Sequence, residues 1–301
     1  MKYIYIVLIM LISLKMSAQQ EPQYTQYMYN MSVVNPAYAG STQNLSIGLL
    51  YRNQWTGFNG APNTFTLYGN APINEKIGLG VSMIADQIGP VKETNANADI
   101  SYTLKLKGEQ RLAFGLKAGF TFHNIGLANI DLSSDNDPLY SENVNVTRPN
   151  FGMGLYYYTN KFYIGASIPN FLESNNKNTN GYEFGSDYIH YFVTGGYVFD
   201  LSEKVKLKPS FLIKSAFEAP LSFDINTNVM FFDKMEFGIS YRLDDSFSSL
   251  MNLEVTPNVR IGYAFDAVVS DLSKDTYSSH EFLLLIDIKS TKDATLQKRF
   301  F

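Results

Sequence analysis

No cysteine occurs anywhere in the 301 residues. That excludes disulfides, thiolate metal sites and cysteine nucleophiles together. Histidine is nearly as scarce, with three copies, and tryptophan occurs once. Charge is thin as well: charged residues make up 17% of the chain, at a formal net charge of −4. A mildly acidic chain is a poor nucleic-acid partner. Long apolar runs are missing beyond the first dozen residues, so no later stretch reaches the roughly 18 apolar residues of a membrane helix. There is also no Gly-rich phosphate loop, His-Glu-x-x-His helix or Gly-x-Ser-x-Gly elbow. We therefore expect no enzyme, no cofactor and no metal centre.

What is present begins with an export signal. Met1-Lys2 leads into the apolar run from Tyr3 to Ile12, Lys15 interrupts it, and Ser17-Ala18 supplies small residues before Gln19. The pattern predicts a secretory signal peptide over residues 1–18. Losing Lys2 and Lys15 with it would take the net charge from −4 to −6.

From Asn44 onward the sequence alternates. Leu45, Ile47, Leu49 and Tyr51 share one face against Ser46, Gly48, Leu50 and Arg52. The same period recurs, for example, at Leu112–Phe122, Phe151–Tyr157 and Leu221–Phe231. Period two repeated this often means strands that divide two environments, and about 14 strands can be drawn between residues 44 and 289. Their connections sort by parity. Even-numbered turns such as Pro72–Glu75 and Thr159-Asn160 are short. Odd-numbered loops are mostly longer, and Pro169–Ser186 and Asn124–Thr147 run to about 18 and 24 residues, beyond the usual connection length. Short turns on one side and long loops on the other predict an all-β fold: a transmembrane antiparallel β-barrel in the outer membrane, its long loops outside. The 21 Tyr and 22 Phe suit rings of aromatics at the two interfaces with outer-membrane lipid. Residues 290–301 are expected to form a periplasmic tail. Pro209, which cannot donate to a ladder, implies a bulge or a strand boundary.

Other features are weaker. His123 and His190 fall on the inward face near the outer mouth, with no carboxylate motif beside them in sequence. Asp131, Asp135, Asp137 and Glu142 crowd one long loop without calcium-site spacing, and Asn175–Asn180 reads as a loop tip.

Between the signal and the strands, residues 19–43 stand apart. Tyr24, Tyr27, Met28, Met31 and Val34 have the spacing of one helical face, and Asn35-Pro36 stops it. This predicts one short amphipathic helix acting as a periplasmic plug or docking segment. Gln23, Gln26, Asn30 and Asn35 put amides beside Tyr24, Tyr27 and Tyr38, the makings of a protein-binding surface.

Three stretches resemble the PorP/SprF family of outer-membrane proteins of the type IX secretion and gliding machinery of Bacteroidetes. They are Pro22-Gln-Tyr-Thr-Gln26-Tyr-Met-Tyr-Asn30 with Asn35-Pro-Ala-Tyr-Ala-Gly40, then Tyr51-Arg-Asn-Gln-Trp55-Thr-Gly57-Phe-Asn-Gly60-Ala-Pro62, then Val255–Asp266 with Ser279-His280-Glu281. Tyr24 and Thr25 depart from a more usual Phe-Ser, and the tail lacks a cysteine often seen there. The resemblance implies a non-enzymatic barrel of 14 strands. Such a barrel would work with type IX secretion components and help to export or anchor a secreted, adhesin-like surface protein by binding it. A passive porin or solute channel is the alternative. The candidate partner-binding or plug residues are Tyr24, Gln26, Tyr27, Asn30, Asn35, Pro36, Tyr38 and Gly40. Arg52, Trp55, Gly57, Gly60 and Pro62 form a candidate structured loop.

Overall fold

The computed structural model describes residues 22–42, 44–129, 143–172, 174–177, 183–187, 189–216, 221–274, 276 and 278–289. The signal peptide, the acidic cluster at 131–142 and the tail lie outside them.

The strands are β1 (Asn44–Asn53), β2 (Asn63–Pro72), β3 (Ile77–Ile88), β4 (Val91–Lys105), β5 (Arg111–Ile125), β6 (Val144–Tyr158) and β7 (Phe162–Ile168). β8 comprises His190–Tyr197 and, past Val198, Phe199–Ser202. There follow β9 (Val205–Ala216), β10 (Ser222–Phe231), β11 (Met235–Arg242), β12 (Ser246–Thr256), β13 (Val259–Val268) and β14 (Ser278–Lys289). Each pairs antiparallel with its sequence neighbours, and β1 pairs with β14 from Asn44↔Lys289 to Asn53↔His280. The result is a closed barrel of 14 strands. A two-stranded hairpin, Ser174–Lys177 with Glu183–Asp187, stands in the β7–β8 loop.

Alternation decides which side chain goes where. Ser46, Thr64, Thr66, Asn70 and Asn226 are buried inside, whereas Val81, Leu116 and Ile239 are 61%, 62% and 68% exposed on the outer wall. Apolar surface on that scale needs hydrocarbon beside it. Local chemistry closes the short turns. Asn74 accepts from the Lys76 and Ile77 N–H groups at 2.9 Å each. Phe232 and Asp233 take φ of 55° and 53°, the left-handed pair that matches the twist of a tight hairpin.

Pro209 leaves its own strand intact, pairing opposite Thr227 without a bulge. Its effect falls on β8. That strand pairs Gly196 with Ser210 and, two residues past Tyr197, Phe199 with Leu207, in the same register, which shifts only past Asp200. Tyr197 and Val198 face Pro209 and Lys208 across the interruption. The missing N–H thus opens a gap in the ladder next door, not the bulge or boundary expected of β9.

The lumen is occupied by the chain's own residues 22–41. The expected single helix is three short pieces: a 3-10 turn at Tyr27–Tyr29, one α-turn at Met31–Val34 and a second 3-10 turn at Pro36–Tyr38. A continuous helix bonds its backbone internally, but here the wall supplies partners. Lys117 donates to the Val33 carbonyl at 2.9 Å, Ser167 to Val34 at 2.8 Å and Ser101 to Ala39 at 2.5 Å. With backbone groups met from outside, helical continuity loses its advantage. Tyrosine is redistributed accordingly. Tyr24, Tyr27, Tyr68, Tyr156, Tyr158 and Tyr163 are buried in the core of the barrel, so the tyrosine load serves the lumen as well as the outer wall.

Candidate functional site: the filled lumen

The segment spans the barrel from end to end. Gln23 and Tyr24 meet Arg242 at the close of β11, beside the long-loop side. Gly40 lies against Ala71, Pro72 and Gly78 at the short β2–β3 turn. The chain therefore descends through the lumen before entering β1.

Its upper end is held by charge. Glu281 on β14 accepts two successive backbone N–H groups, Thr25 at 2.9 Å and Gln26 at 2.8 Å. Arg52 on β1 donates to the Thr25 hydroxyl at 3.0 Å, to Glu281 at 3.1 Å and to Asp266 on β13 at 2.6 Å. The Thr25 hydroxyl in turn donates to Asp266 at 2.8 Å. Arg52, Asp266 and Glu281 are each no more than 2% exposed. Buried charges persist only when paired and hydrogen-bonded, as these are. Beside them Arg242 forks onto Asp224 at 2.8 and 2.9 Å and donates to the Tyr24 carbonyl and the Gln23 side chain. The two-pronged geometry favours arginine over lysine at this position.

Lower down, Tyr29 donates to Glu236 on β11, which also accepts from Asn228, and the Tyr29 carbonyl accepts from Tyr68. Lys208 and Arg260 lie over the Tyr29 ring, each 5.4 Å from its centroid, within cation–π range. At the corner, Asn35 accepts from Ala37 N–H and donates to the Leu155 carbonyl, both at 2.9 Å. Asn35 has φ −139° and ψ 112°, the extended conformation that Pro36 imposes on its predecessor. Tyr38 packs edge-on against Tyr156 at 5.5 Å. Gly40 has φ +68° and lets the backbone turn out beside Gly78.

The amides proposed for partner binding therefore face the wall. Gln26, Asn30 and Asn35 are 0% exposed and Tyr27 1%. Tyr27 is met by Asn226 at 3.0 Å. A partner would reach these side chains only after the segment left the lumen. The Gln26 and Asn30 amides have no hydrogen-bond partner among the described residues.

The loop 54–62 is tied down at both ends. Trp55 has φ 48° and its N–H donates to Ser279 at 3.1 Å, while Thr56 N–H donates to the Ser278 carbonyl at 2.8 Å. Gln54 N–H donates to the Pro62 carbonyl, and Gly89 N–H to Gly60. Gly57 and Gly60 have φ of 92° and 76°, which side chains rarely tolerate. Arg52 belongs to the wall, not to this loop. His123 and His190 do line one cavity at the long-loop end, but His123 has a carboxylate neighbour that sequence spacing concealed. Glu93, across the β4–β5 ladder, lies 3.4 Å away.

Sequence spacing does not single out Asp224, Arg242, Glu236 or Lys208, and it offers Asp266 and Glu281 only as members of a longer stretch. A signal existed: each is a charge on the inward row of an alternating strand.

The family model of the type IX secretion system membrane protein PorP/SprF matches residues 16–286. All three stretches quoted for the resemblance fall within it, and Thr25, Arg52, Asp266 and Glu281, drawn from them, meet in one network. No curated protein matches the chain. Among solved structures, a FadL homologue from Pseudomonas aeruginosa is 11% identical, with a TM-score of 0.52 over 86% of this chain and 94% of that one. The outer membrane protein Omp33 of Acinetobacter baumannii is 10% identical, with a TM-score of 0.48 over 83% and 100%. At 11% identity the likeness to the FadL homologue is one of fold.

Proposed function

Because the chain belongs to the PorP/SprF family of type IX secretion system membrane proteins, outer-membrane barrels by fold and location, we propose that it serves that machinery as a non-enzymatic adaptor. In this reading it helps to export or hold a secreted, adhesin-like surface protein by binding it. One observation carries the reading: the lumen is filled by the chain's own segment, gripped by paired buried charges at Thr25 and Gln26. A solute channel needs a continuous aqueous path, and its inner face would be spent on solutes. Here that face is spent on residues 22–41, and the surface left for recognition is the rim of long loops.

Deleting the chain from its source bacterium should remove the partner protein from the cell surface while its synthesis continues. Unchanged display of every secreted surface protein would sink the adaptor reading. Purified protein in planar bilayers should pass no steady current, and a steady porin-like current would favour the channel.

A further inference from the structure

β6 pairs with β5 along its whole length, from Val144↔Ile125 to Tyr158↔Arg111. β7 answers only its lower part, from Tyr158↔Tyr163 to Met153↔Ile168. Above that point the chain leaves the ladder. Pro169 has no N–H to donate, and its carbonyl crosses the inner face where a Cβ on Gly152 would stand. Phe171 makes the last contact: its N–H donates to the Phe151 carbonyl at 2.9 Å, and its ring stacks on Phe151 at 6.1 Å. The hairpin beyond it, Ser174–Lys177 with Glu183–Asp187, forms a sheet of its own. Among the described residues, nothing pairs with the second edge of β6 between Asn145 and Pro149.

Alternate residues of a strand point their backbone groups to the same side. The Phe151 carbonyl faces the β7 side, so Asn145 and Thr147 turn N–H and C=O that way, and Pro149 its C=O. Proline is tolerated at Pro149 because no ladder needs its N–H. This edge of five residues, about 17 Å long at strand rise, lies above the apolar band. Phe151 and Met153 are exposed on the outer wall, whereas Asn145 and Thr147 continue their row with exposed polar side chains. On the inner face Val144 is buried with Ile125 and Leu127, and half-buried Val146 packs against them.

We propose that this open edge receives an extended segment of the secreted partner as an added strand. Donors and acceptors repeating every second residue are matched by another extended backbone, and an unpaired edge is a template for one. The incoming strand sets apolar side chains inward beside Val146 and polar ones outward beside Asn145 and Thr147. The identity of the partner rests on the adaptor reading, while the edge itself is tested apart from it.

The experiment uses the full chain in detergent and a labelled, capped peptide of alternating threonine and valine flanked by lysines. Thr147→Pro removes the central N–H of the edge and no bond to β5, whereas Thr147→Ala keeps the backbone intact. Fluorescence anisotropy should show the peptide binding the wild type and Thr147→Ala alike, and Thr147→Pro at least tenfold more weakly. The same peptide N-methylated at each threonine and valine should not bind, and both variants should keep the heat-modifiable gel shift of a folded barrel. No binding to the wild type, full binding to Thr147→Pro, or binding of the N-methylated peptide overturns the edge. So does a disulfide between Thr147→Cys and Asn175→Cys formed without peptide, which would mean that the chain's own hairpin fills the place. In the source bacterium Thr147→Pro should lower surface display of the partner at least fivefold and Thr147→Ala should not. Normal display with Thr147→Pro, where deleting the chain abolishes display, overturns the partner assignment and spares the adaptor reading. Peptide binding sensitive to Thr147→Pro, with unaffected display in the deletion strain, would remove the adaptor reading and leave the edge standing as a strand acceptor.

Discussion

Gly115 on β5 and Gly154 on β6 stand directly opposite each other in the ladder, and together they form the slot that receives the Asn35–Ala37 corner of the plug. A Cβ on Gly115 would lie 2.1 Å from the Ala37 nitrogen, and one on Gly154 would lie 2.0 Å from Asn35 Oδ1. No flexible side chain can yield at Gly115, because the neighbour is backbone. Gly115→Ala should therefore lower stability by about 1–3 kcal/mol, the usual cost of overpacking. Gly69→Ala, where the nearest atom lies at 3.6 Å, should be neutral or slightly stabilising. Thermal unfolding of the two variants in one detergent decides the matter, and equal midpoints would mean that the corner does not occupy the slot.

The path of the segment can be checked covalently. A Cβ on Gly80 would sit 3.4 Å from the Ala39 Cβ, close to the separation of a disulfide. The native chain has no cysteine to interfere. Gly80→Cys combined with Ala39→Cys should cross-link on mild oxidation, giving a band of altered mobility on a non-reducing gel that reductant abolishes. A double variant that stays fully reactive toward maleimide would show that the plug does not reach the short-turn end.

How much of this the sequence disclosed follows from what alternation encodes. Rows such as Ser46, Gly48, Leu50 and Arg52 read correctly as inward because period two separates faces whatever their chemistry. The loop parity read correctly because connection length is linear along the chain. The plug's conformation was not legible: Tyr24, Tyr27, Met31 and Val34 have helical spacing, but the lumen buries every side of the segment, including Gln26, Asn30 and Ser32. One-sided spacing cannot reveal all-round burial. Nor could spacing join Arg52 to Asp266 and Glu281, which lie more than two hundred residues further on. Barrel closure alone brings β1, β13 and β14 together. Sequence habit also treats charge as surface, whereas this barrel buries Arg52, Lys208, Glu236, Asp266 and Glu281 inside.

The charge network yields the last prediction. Arg52 is the cation between Asp266 and Glu281, and those two carboxylates hold the Thr25 hydroxyl and the Thr25 and Gln26 N–H groups. Arg52→Ala leaves two buried carboxylates facing each other across Thr25. Removing one partner of a buried pair costs about 3–5 kcal/mol. The ladder between β1 and β14 runs on backbone bonds and survives this. The upper end of the plug does not, because its hold depends on carboxylates that now repel or take up a proton. We expect Arg52→Ala to keep the folded-barrel gel shift while its planar-bilayer conductance rises from closed to intermittently open. Adding Asp266→Asn removes one stranded charge and should restore part of the closure, an effect that simple loss of packing at Arg52 would not produce. A folded Arg52→Ala barrel that stays as tight as the wild type would place the hold on the plug elsewhere, in the Tyr29–Glu236 contact or the Asn35 corner.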